Sequence, residues 1–307
     1  MGKIPQVGDK YQGKIGNVSL GKGDRIAGGA DGMPFLSFEN TSKRRVMIAG
    51  EVFDDITDYP KLAASMFDGR QKDPVEWARM WAALGADMIC LRLKGIDPDK
   101  KRTTPKGAAE LVKKIADATS LPVIVYGCGN PAADSEAMRE ISAVKGTRLV
   151  LGKADEDDYK TIASAAMSGK HTVIAFSNLD VNLAKQMNII LTDFGVEIGD
   201  ILMDPLMAPL GMGLDYSYSV NERIRLAALS NDKMLQIPMI CDATGAWDVG
   251  DAVNDEDAAL GDVKNRVTWW ETITAMAAIV SGADIVIMRG PGAADMILGY
   301  ADELRGD

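Results

Sequence analysis

The stretch Asp73–Leu93, DPVEWARMWAALGADMICLRL, contains a helix signal followed directly by a strand signal. Asp73 is a typical N-cap, Pro74 suits the first helical position, and Gly85 is a typical helix stop. The run Met88–Leu93 is nearly continuous in apolar character, as expected of a strand buried on both faces of a parallel sheet. This unit, a helix that leads into a buried parallel strand, decides the fold because the rest of the chain repeats it.

The junction between helix and strand occurs a second time, since Gly85-Ala86-Asp87-Met88-Ile89 recurs as Gly282-Ala283-Asp284-Ile285-Val286. Another helix is equally well marked, with Asp180 before Val181–Phe194 and Gly195 after it. From residue 45 onward, eight short apolar runs alternate with such helical segments. The runs are Val46–Glu51, Met88–Leu93, Val123–Tyr126, Arg148–Leu151, Thr172–Phe176, Ile201–Met203, Pro238–Cys241 and Ile285–Met288.

Eight strand–helix units over residues 45–307 predict a (β/α)8 TIM barrel, which is an α/β fold. A doubly wound open sheet is the alternative, and it is disfavoured because no Gly-rich dinucleotide fingerprint follows the first strand. Residues 1–44 contain nine glycines and are predicted to form an extended arm or hairpin that precedes the barrel. This N-terminal part could close the bottom of the barrel.

The composition and charge narrow the possible functions. With 307 residues, 47% of them hydrophobic and 25% charged, the chain has the composition of a globular protein, not of a disordered, collagen-like or coiled-coil one. Its net charge of −10 disfavours nucleic acid or an anionic membrane as a partner. No run of about 18 apolar residues is present, and Met1–Pro5 lacks the apolar core of a signal peptide. We therefore expect a cytoplasmic protein without a membrane span.

The three cysteines are far apart in the sequence, at Cys90, Cys128 and Cys241, and each follows an apolar run. No CxxC spacing occurs, so we expect neither a zinc site nor a four-cysteine iron–sulfur cluster within this chain. Buried, reduced thiols are the expected state.

Polar side chains follow the ends of the predicted strands, which in a TIM barrel converge on the functional face. Together they could recognise a polar, planar ligand. They are Glu51, Asp54, Asp55, Lys94, Asp97, Gly127 to Asn130, Lys153, Ser177, Asn178, Asp204, Asp242 and Arg289.

The sequence predicts neither catalytic nor metal-binding residues. The only histidine, His171, precedes the fifth strand, which places it at the opposite end of the barrel, where we expect a structural or surface role. Glu51 and Asp204 could form a pair of acids, but many barrel strands end in acids, so that signal is weak. Ser217-Tyr218-Ser219 has no nearby base and is predicted to belong to a helix start.

Two loops after the predicted strands have unusual compositions. Gly211-Met212-Gly213 lies ahead of a helix that we predict to begin near Tyr216, and its backbone could hold an anion or approach a large ligand closely. Residues 242–265 include seven acidic residues and only Lys264 as a basic one, ahead of a helix predicted to begin near Arg266. This second loop is either a solvated surface flap or an element that docks a partner.

Taken in order, several segments resemble the small subunit of the corrinoid iron–sulfur protein, which is equivalent to the delta subunit of the archaeal acetyl-CoA decarbonylase/synthase complex. The resemblance extends from Arg45 to the C-terminus. The segments that carry it are Tyr126-Gly-Cys-Gly-Asn130, Leu149-Val-Leu-Gly-Lys153 with Tyr159-Lys160, Leu179-Asp-Val-Asn-Leu-Ala-Lys-Gln-Met-Asn188, Tyr216-Ser-Tyr-Ser219, Glu222-Arg-Ile-Arg-Leu226, Asp232-Lys-Met-Leu235, and Pro238-Met-Ile-Cys241 with Ala246-Trp247.

This resemblance implies a barrel that pairs with a large subunit, which carries an iron–sulfur cluster and a corrinoid-binding domain. The corrinoid (cobamide) is then expected at the interface between that domain and the top of this barrel, with no cluster in this chain. A separate methyltransferase passes a methyl group from a methyltetrahydropterin to the complex, which delivers it to acetyl-CoA synthase in the reductive acetyl-CoA pathway of carbon fixation in anaerobes. This chain would be non-catalytic on its own.

Six residues near the ends of predicted strands are expected to contact the cofactor in that arrangement. They are Asn178, Asp204, Gly211, Gly213, Asp242 and Arg289.

The barrel also resembles pterin-binding barrels such as dihydropteroate synthase and methyltetrahydrofolate methyltransferase. Ile201-Leu-Met-Asp-Pro205 stands where those enzymes have Asp-Pro after a strand, but the expected continuation Gly-x-Gly-Phe-x-Lys is missing. The alternative function is therefore a pterin-dependent methyltransferase that holds methyltetrahydrofolate with Asn178, Asp204 and a neighbouring acid. The missing continuation favours a barrel that serves as a scaffold.

Overall fold

A computed structural model describes residues 8–34, 40–42, 44–100, 102–256 and 258–305. Its main feature is a sheet of eight parallel strands. Their bounds are β3 Met47–Phe53, β4 Met88–Arg92, β5 Val123–Tyr126, β6 Val150–Ala154, β7 Thr172–Phe176, β8 Ile201–Asp204, β9 Ile240–Asp242 and β10 Ile285–Met288. The spatial order of these strands is β8-β7-β6-β5-β4-β3-β10-β9.

The sheet closes between its two outer strands, where Met203 N–H donates to the carbonyl oxygen of Pro238 at 2.9 Å and Met203 forms a parallel bridge with Met239. Each of the eight predicted apolar runs contributes one barrel strand. The predicted (β/α)8 TIM barrel is confirmed, and the doubly wound open sheet is excluded.

The helices pack around the barrel, and their ends follow the predicted signals. Asp73 caps its helix by accepting from Val75 N–H at 2.8 Å, and Gly85 ends it in a left-handed conformation at φ 96°. The helices are α1 Lys61–Ala64, α2 Pro74–Leu84, α3 Pro105–Thr119, α4 Pro131–Ser142, α5 Tyr159–Gly169, α6 Val181–Phe194, α7 Leu214–Leu229, α8 Gly250–Val253, α9 Val263–Ser281 and α10 Pro291–Arg305.

Two helices begin earlier than predicted. Helix α7 begins at Leu214, because Gly213 at φ 99° turns the chain into the helix two residues before Tyr216. Helix α9 begins at Val263, because the side chain of Asp262 accepts from Asn265 N–H at 2.8 Å and thereby caps it. No helix in the described part of the chain is long and apolar enough to cross a membrane.

The barrel lumen is filled by apolar side chains that point inward from alternate strand positions. Because the period of a strand is two, these residues form a core that is separate from the one between the sheet and the helices. The lumen core from the strands consists of Met47, Ala49, Met88, Cys90, Ile124, Tyr126, Val150, Ile174, Leu202, Ile240, Ile285 and Ile287.

The N-terminal part forms an antiparallel hairpin that closes the bottom of this lumen. Strands β1 Asn17–Leu20 and β2 Arg25–Gly28 pair with each other, and Val18, Leu20 and Ala27 join the lumen core. The hairpin turn is joined to the barrel, since Gly21 and Arg148 exchange both backbone hydrogen bonds, at 2.7 and 3.1 Å. The predicted hairpin is confirmed, whereas the division into separate domains at residue 44 stays a prediction. Residues 1–7, which include Met1–Pro5, lie outside the described residues.

The acidic segment 242–265 is folded into short helical turns. The turns Ala243–Asp248 and Gly250–Val253 pack against α9, and Ala252 is fully buried. Arg266 on α9 donates to the carbonyl oxygens of Ala252 at 3.3 Å and Leu260 at 2.8 Å, and it also bonds that of Asn254. The segment is thus packed on α9 with most of its acids exposed, and both interpretations, a solvated surface flap and an element that docks a partner, stay predictions. Asp257 lies outside the described residues.

We expect Leu20→Ala to destabilise the protein by about 2–5 kcal/mol, because a fully buried leucine leaves a cavity in a closed lumen. Ile26→Ala on the same hairpin should cost less than about 1 kcal/mol, because Ile26 is 37% exposed. Urea unfolding followed by tryptophan fluorescence measures both changes. Equal, small losses in the two variants would contradict the role of the hairpin as a plug.

Candidate functional site

Four charged side chains form an ion-pair network at the carboxyl end of the barrel lumen. Glu51, which is fully buried, accepts from Arg92 Nε at 2.5 Å and from Arg289 Nε at 2.6 Å. Arg92 Nη2 also donates to Asp242 Oδ2 at 2.6 Å and to Thr244 Oγ1 at 3.1 Å. Since β4 and β10 are the neighbours of β3, Glu51 ties together the ends of three adjacent strands.

A second ion pair lies beside this network, between Lys153 and Asp204. Strict alternation along β6 would point Lys153 outward, but the register of β6 against β7 shifts between Leu151 and Ala154. Lys153 therefore points into the lumen, where its Nζ lies 2.8 Å from Asp204 Oδ2 and 4.6 Å from the ring centroid of Phe176.

These six side chains, which we call the ionic layer, are Glu51, Arg92, Lys153, Asp204, Asp242 and Arg289. Burial alone would raise the pKa of Asp242, but the adjacent charges of Arg92 and Lys153 hold it well below its usual range. Burial would lower the pKa of Lys153, but Asp204 and Asp242 raise it instead. Three positive and three negative groups thus neutralise one another inside the protein.

Glu271 on α9 supports the ionic layer by binding the backbone just beyond the carboxyl end of β10. Its Oε1 accepts from Arg289 N–H at 2.5 Å, and its Oε2 accepts from Gly290 N–H at 2.8 Å and from Trp247 Nε1 at 2.9 Å. Burial raises the pKa of the Glu271 carboxyl to about 7, although all three hydrogen bonds lower it. Glu271 therefore connects the acidic segment, through Trp247, to the backbone that carries Arg289.

Three of the six predicted cofactor-binding residues lie together in the ionic layer, namely Asp204, Asp242 and Arg289. Glu51 and Lys153, which belong to the wider set of strand-end residues, lie there as well. These predictions rested on the expectation that the strand ends converge at one end of the barrel. Five of the predicted side chains do lie together there.

The other three predicted residues lie outside the ionic layer. Asn178 is exposed in a turn after β7, with a φ of 22°. Gly211 and Gly213 line a separate depression between the start of α7 and the side of α9. Gly211 and Gly213 thus lie away from Asp204, Asp242 and Arg289. Asn178 is outside the ionic layer but beside Asp204, because Ser177 N–H donates to the carbonyl oxygen of Asp204 at 3.0 Å and Leu179 N–H donates to that of Pro205 at 2.8 Å.

Two residues of the site were not predicted from the sequence. Arg92 lies at the end of the predicted run that begins at Met88, and alternation with Met88 and Cys90 would have indicated that it points into the lumen. Glu271 lies in the middle of α9, and no local pattern shows that its carboxylate meets the backbone after β10.

An open cavity of about 380 Å³ lies at the mouth of the barrel, between the loops that follow β5 and β6. Its floor is formed by Arg92, Tyr126 and Lys153, and the hydroxyl of Tyr126 has no hydrogen-bond partner among the described residues. Burial and the neighbouring Asp155 raise the pKa of Asp158, on the cavity wall, to about 6. The mouth therefore offers polar groups of both charges to a ligand.

His171 lies at the opposite, N-terminal end of the barrel and is buried. Its Nδ1 accepts from Leu149 N–H at 3.2 Å, and burial lowers the pKa of the imidazole. The predicted structural role is confirmed, and a surface role is wrong because the ring is enclosed.

Comparison with known sequences identifies related proteins. The family described as CO dehydrogenase/acetyl-CoA synthase delta subunit matches residues 16–298. The acetyl-CoA decarbonylase/synthase complex subunit delta of Methanosarcina mazei is 35% identical over 291 residues, covering 90% of this chain and 66% of that protein. The subunit delta of Methanothermobacter thermautotrophicus is 32% identical, covering 92% of this chain and 73% of that protein. This chain thus spans about two thirds of the length of the M. mazei relative.

Solved structures with the same fold include two dihydropteroate synthases. The enzyme from Thermus thermophilus matches with a TM-score of 0.59 at 15% identity, over 94% of this chain and 100% of that one. The enzyme from Coxiella burnetii, solved in complex with pteroic acid, matches with a TM-score of 0.59 at 12% identity, over 95% of this chain and 100% of that one. At these identities the likeness shows the barrel fold alone.

We expect Glu271 to make the folded state less stable as the pH rises towards 7. The pKa of this carboxyl is about 7 in the folded protein against an ordinary value of 4.5, so the folded state holds a proton that the unfolded chain has already lost. Glu271→Gln cannot titrate, so its stability relative to wild type should rise by roughly 3 kcal/mol between about pH 5 and about pH 8. This rise is superimposed on a loss that does not depend on pH, because the amide nitrogen of Gln cannot accept from the N–H groups that the carboxyl binds.

Urea unfolding of both proteins across that pH range measures this difference. Glu140→Gln, at an exposed position on α4, is the matched control and should follow the wild-type profile. Parallel profiles for wild type and Glu271→Gln would show that the Glu271 carboxyl does not titrate in this range.

Proposed function

The chain belongs to the CO dehydrogenase/acetyl-CoA synthase delta subunit family, and from that premise we propose that its barrel top caps a corrinoid held by a large partner subunit. The complex would accept a methyl group from a methyltetrahydropterin through a methyltransferase in the cytoplasm. It would then pass that group to acetyl-CoA synthase. This chain would be a non-catalytic subunit whose part is to shield and position the carrier.

The observation that carries this proposal is the self-neutralised ionic layer. In a pterin-dependent methyltransferase, Asp204 would have to bind the pterin, but here it is paired with Lys153. Asp242 is likewise held by Arg92 and Thr244. A pterin bound at these acids would therefore have to share them with the cations that already hold them.

The residues at the barrel top fit the edge of a corrinoid, which carries amide side chains that both donate and accept hydrogen bonds. Tyr126 Oη and Arg289 Nη1 are buried without a hydrogen-bond partner among the described residues. These two groups would donate to the corrinoid amides, with the exposed Asn178 at the rim. When bound, the corrinoid supplies the metal centre that carries the methyl group.

The chain's own side chains would hold the capping surface in place and exclude water from it. Glu51 joins β3, β4 and β10 through two arginines, and Glu271 fixes the backbone of Arg289. A rigid cap of this kind lets the carrier domain of the partner move between successive reaction partners while the cap stays unchanged. His171, the chain's only histidine, is at the other end of the barrel, so this chain offers no imidazole at its top.

We expect corrinoid absorption bands only when this chain is purified as a complex with the large subunit. The test is anaerobic co-expression with and without that subunit, followed by a visible spectrum of the purified protein. Corrinoid bands in the complex, together with a colourless isolated chain, support the capping function. The capping function would be contradicted if the large subunit alone, without this chain, had the same spectrum and the same corrinoid release rate as the complex.

We also expect the isolated wild-type chain not to bind methyltetrahydrofolate, because Lys153 and Arg92 occupy the acids of the barrel mouth. Isothermal titration calorimetry under anaerobic conditions measures this directly. Tight binding by wild type that is lost in Asp204→Asn would instead establish the alternative, a pterin-dependent methyltransferase with its site at Asp204.

A further inference from the structure

The side of α9 that faces solvent is unusually apolar. Trp269 is 49% exposed and Ile273 is 41% exposed, and the partly buried Met276 and Val280 continue the same stripe at spacings of three and four residues. The opposite face of α9 packs into the core. Beyond the first turn, where Lys264 and Asn265 are exposed, the exposed side chains of α9 are apolar. An exposed apolar stripe of this kind marks an interaction site, so the outer face of α9 is expected to have a partner.

The apolar stripe is continuous with the depression that contains the Gly211-Met212-Gly213 motif. Met212 is 65% exposed and Tyr216 is 69% exposed, next to the lining of the depression. The lining residues are Leu210, Gly211, Gly213, Leu214, Asp215, Tyr218 and Ala277.

The loop that carries Met212 is fixed to α9 by hydrogen bonds. Trp270 Nε1 donates to the carbonyl oxygen of Leu210 at 2.8 Å, and Leu210 N–H donates to Thr274 Oγ1 at 3.2 Å. These bonds hold the loop beside the helix, so the apolar groups form one preformed surface. We call it the α9 surface and define it by Met212, Tyr216, Trp269 and Ile273.

Acidic side chains border the α9 surface at its upper end. The acidic segment is wrapped around Arg266, which precedes Trp269 by one helical turn and whose guanidinium bonds four backbone carbonyl oxygens. The exposed acids of this border are Asp248, Asp251, Asp255, Glu256 and Asp262, with Asp215 at the start of α7. Lys264, in the first turn of α9, is an exposed base beside them, so the border is acidic on balance.

We infer that the α9 surface is the docking site for the large, corrinoid-carrying subunit, and that this partner presents an apolar ridge flanked by lysine or arginine. The inference rests on the proposed function, because that function supplies the partner. Charge complementarity indicates which kind of protein binds the α9 surface, since an acidic border attracts a basic partner. A second copy of this chain would bring the same acids together, and its net charge is also −10.

The position of the surface suits this arrangement. Glu271, on the inner side of the same helix, connects Trp247 of the acidic segment to Arg289 of the ionic layer. A partner anchored on the outer face of α9 would therefore lie beside the barrel mouth and leave it open to a mobile carrier domain.

The first experiment compares two double variants of the full chain for binding to the purified large subunit. Trp269→Ser/Ile273→Ser should weaken the affinity by at least about 30-fold, because exposed aromatic and aliphatic anchors at an interface centre act as hot spots. Met167→Ser/Ile198→Ser is the matched control, with residues that are 43% and 44% exposed on other elements, and should change it by less than about threefold. Thermal unfolding of each variant confirms that it is folded.

The second experiment tests the acidic border. Asp251→Asn/Asp255→Asn/Glu256→Gln should slow association by about tenfold at about 50 mM salt and reduce the salt dependence of binding. The control Glu110→Gln/Glu136→Gln/Glu140→Gln removes the same number of charges from exposed positions on α3 and α4 and should have little effect.

The outcomes separate this inference from the proposed function. If the wild-type chain does not bind the large subunit, both fail. If it binds and the complex holds corrinoid, but Trp269→Ser/Ile273→Ser binds equally well, the capping function stands and the docking surface is wrong. If light scattering shows that wild type alone is a dimer and the double variant a monomer, the α9 surface binds a second copy and the inference is overturned.

Discussion

The arrangement of the barrel top depends on the charge of Glu51, a carboxylate with no exposed surface at the end of a closed lumen. A buried charge of this kind is tolerated only when it is paired and hydrogen-bonded. Arg92 and Arg289, at the ends of the two neighbouring strands, pair with Glu51. Each arginine brings a positive charge that needs its own compensation. Asp242 compensates Arg92, and the backbone that carries Arg289 is held by a second buried carboxylate, Glu271. The polar top of the barrel is thus one connected structure, and its parts depend on one another.

The sequence could predict the barrel because its signals are local. Asp73 and Gly85 mark one helix through bonds that span a few residues, and the apolar runs identify buried strands without reference to distant parts of the chain. The ionic layer depends on distant pairs, such as Glu51 with Arg289, which are 238 positions apart. The inward direction of Lys153 arises from a register shift between two strands. Strand ends could therefore be identified as polar, but their pairing required the closed barrel.

A fold shared with dihydropteroate synthases does not by itself transfer their binding chemistry. In this barrel the acids are paired with cations of the same chain, Asp204 with Lys153 and Asp242 with Arg92. These ion pairs fix the positions of the charged groups at the barrel top before any ligand arrives.

The hairpin at the bottom of the barrel has a consequence for how the chain is assembled during translation. Val18 and Leu20 are synthesised before the barrel strands, and the residues that bury them come from strands along the whole barrel, the last being Ile285 and Ile287. These apolar side chains therefore have no complete binding pocket until β10 has left the ribosome. Contacts between such distant residues close slowly, and incomplete chains expose apolar surface that promotes aggregation. The same plug that stabilises the finished barrel thus makes its folding dependent on chains that extend through β10.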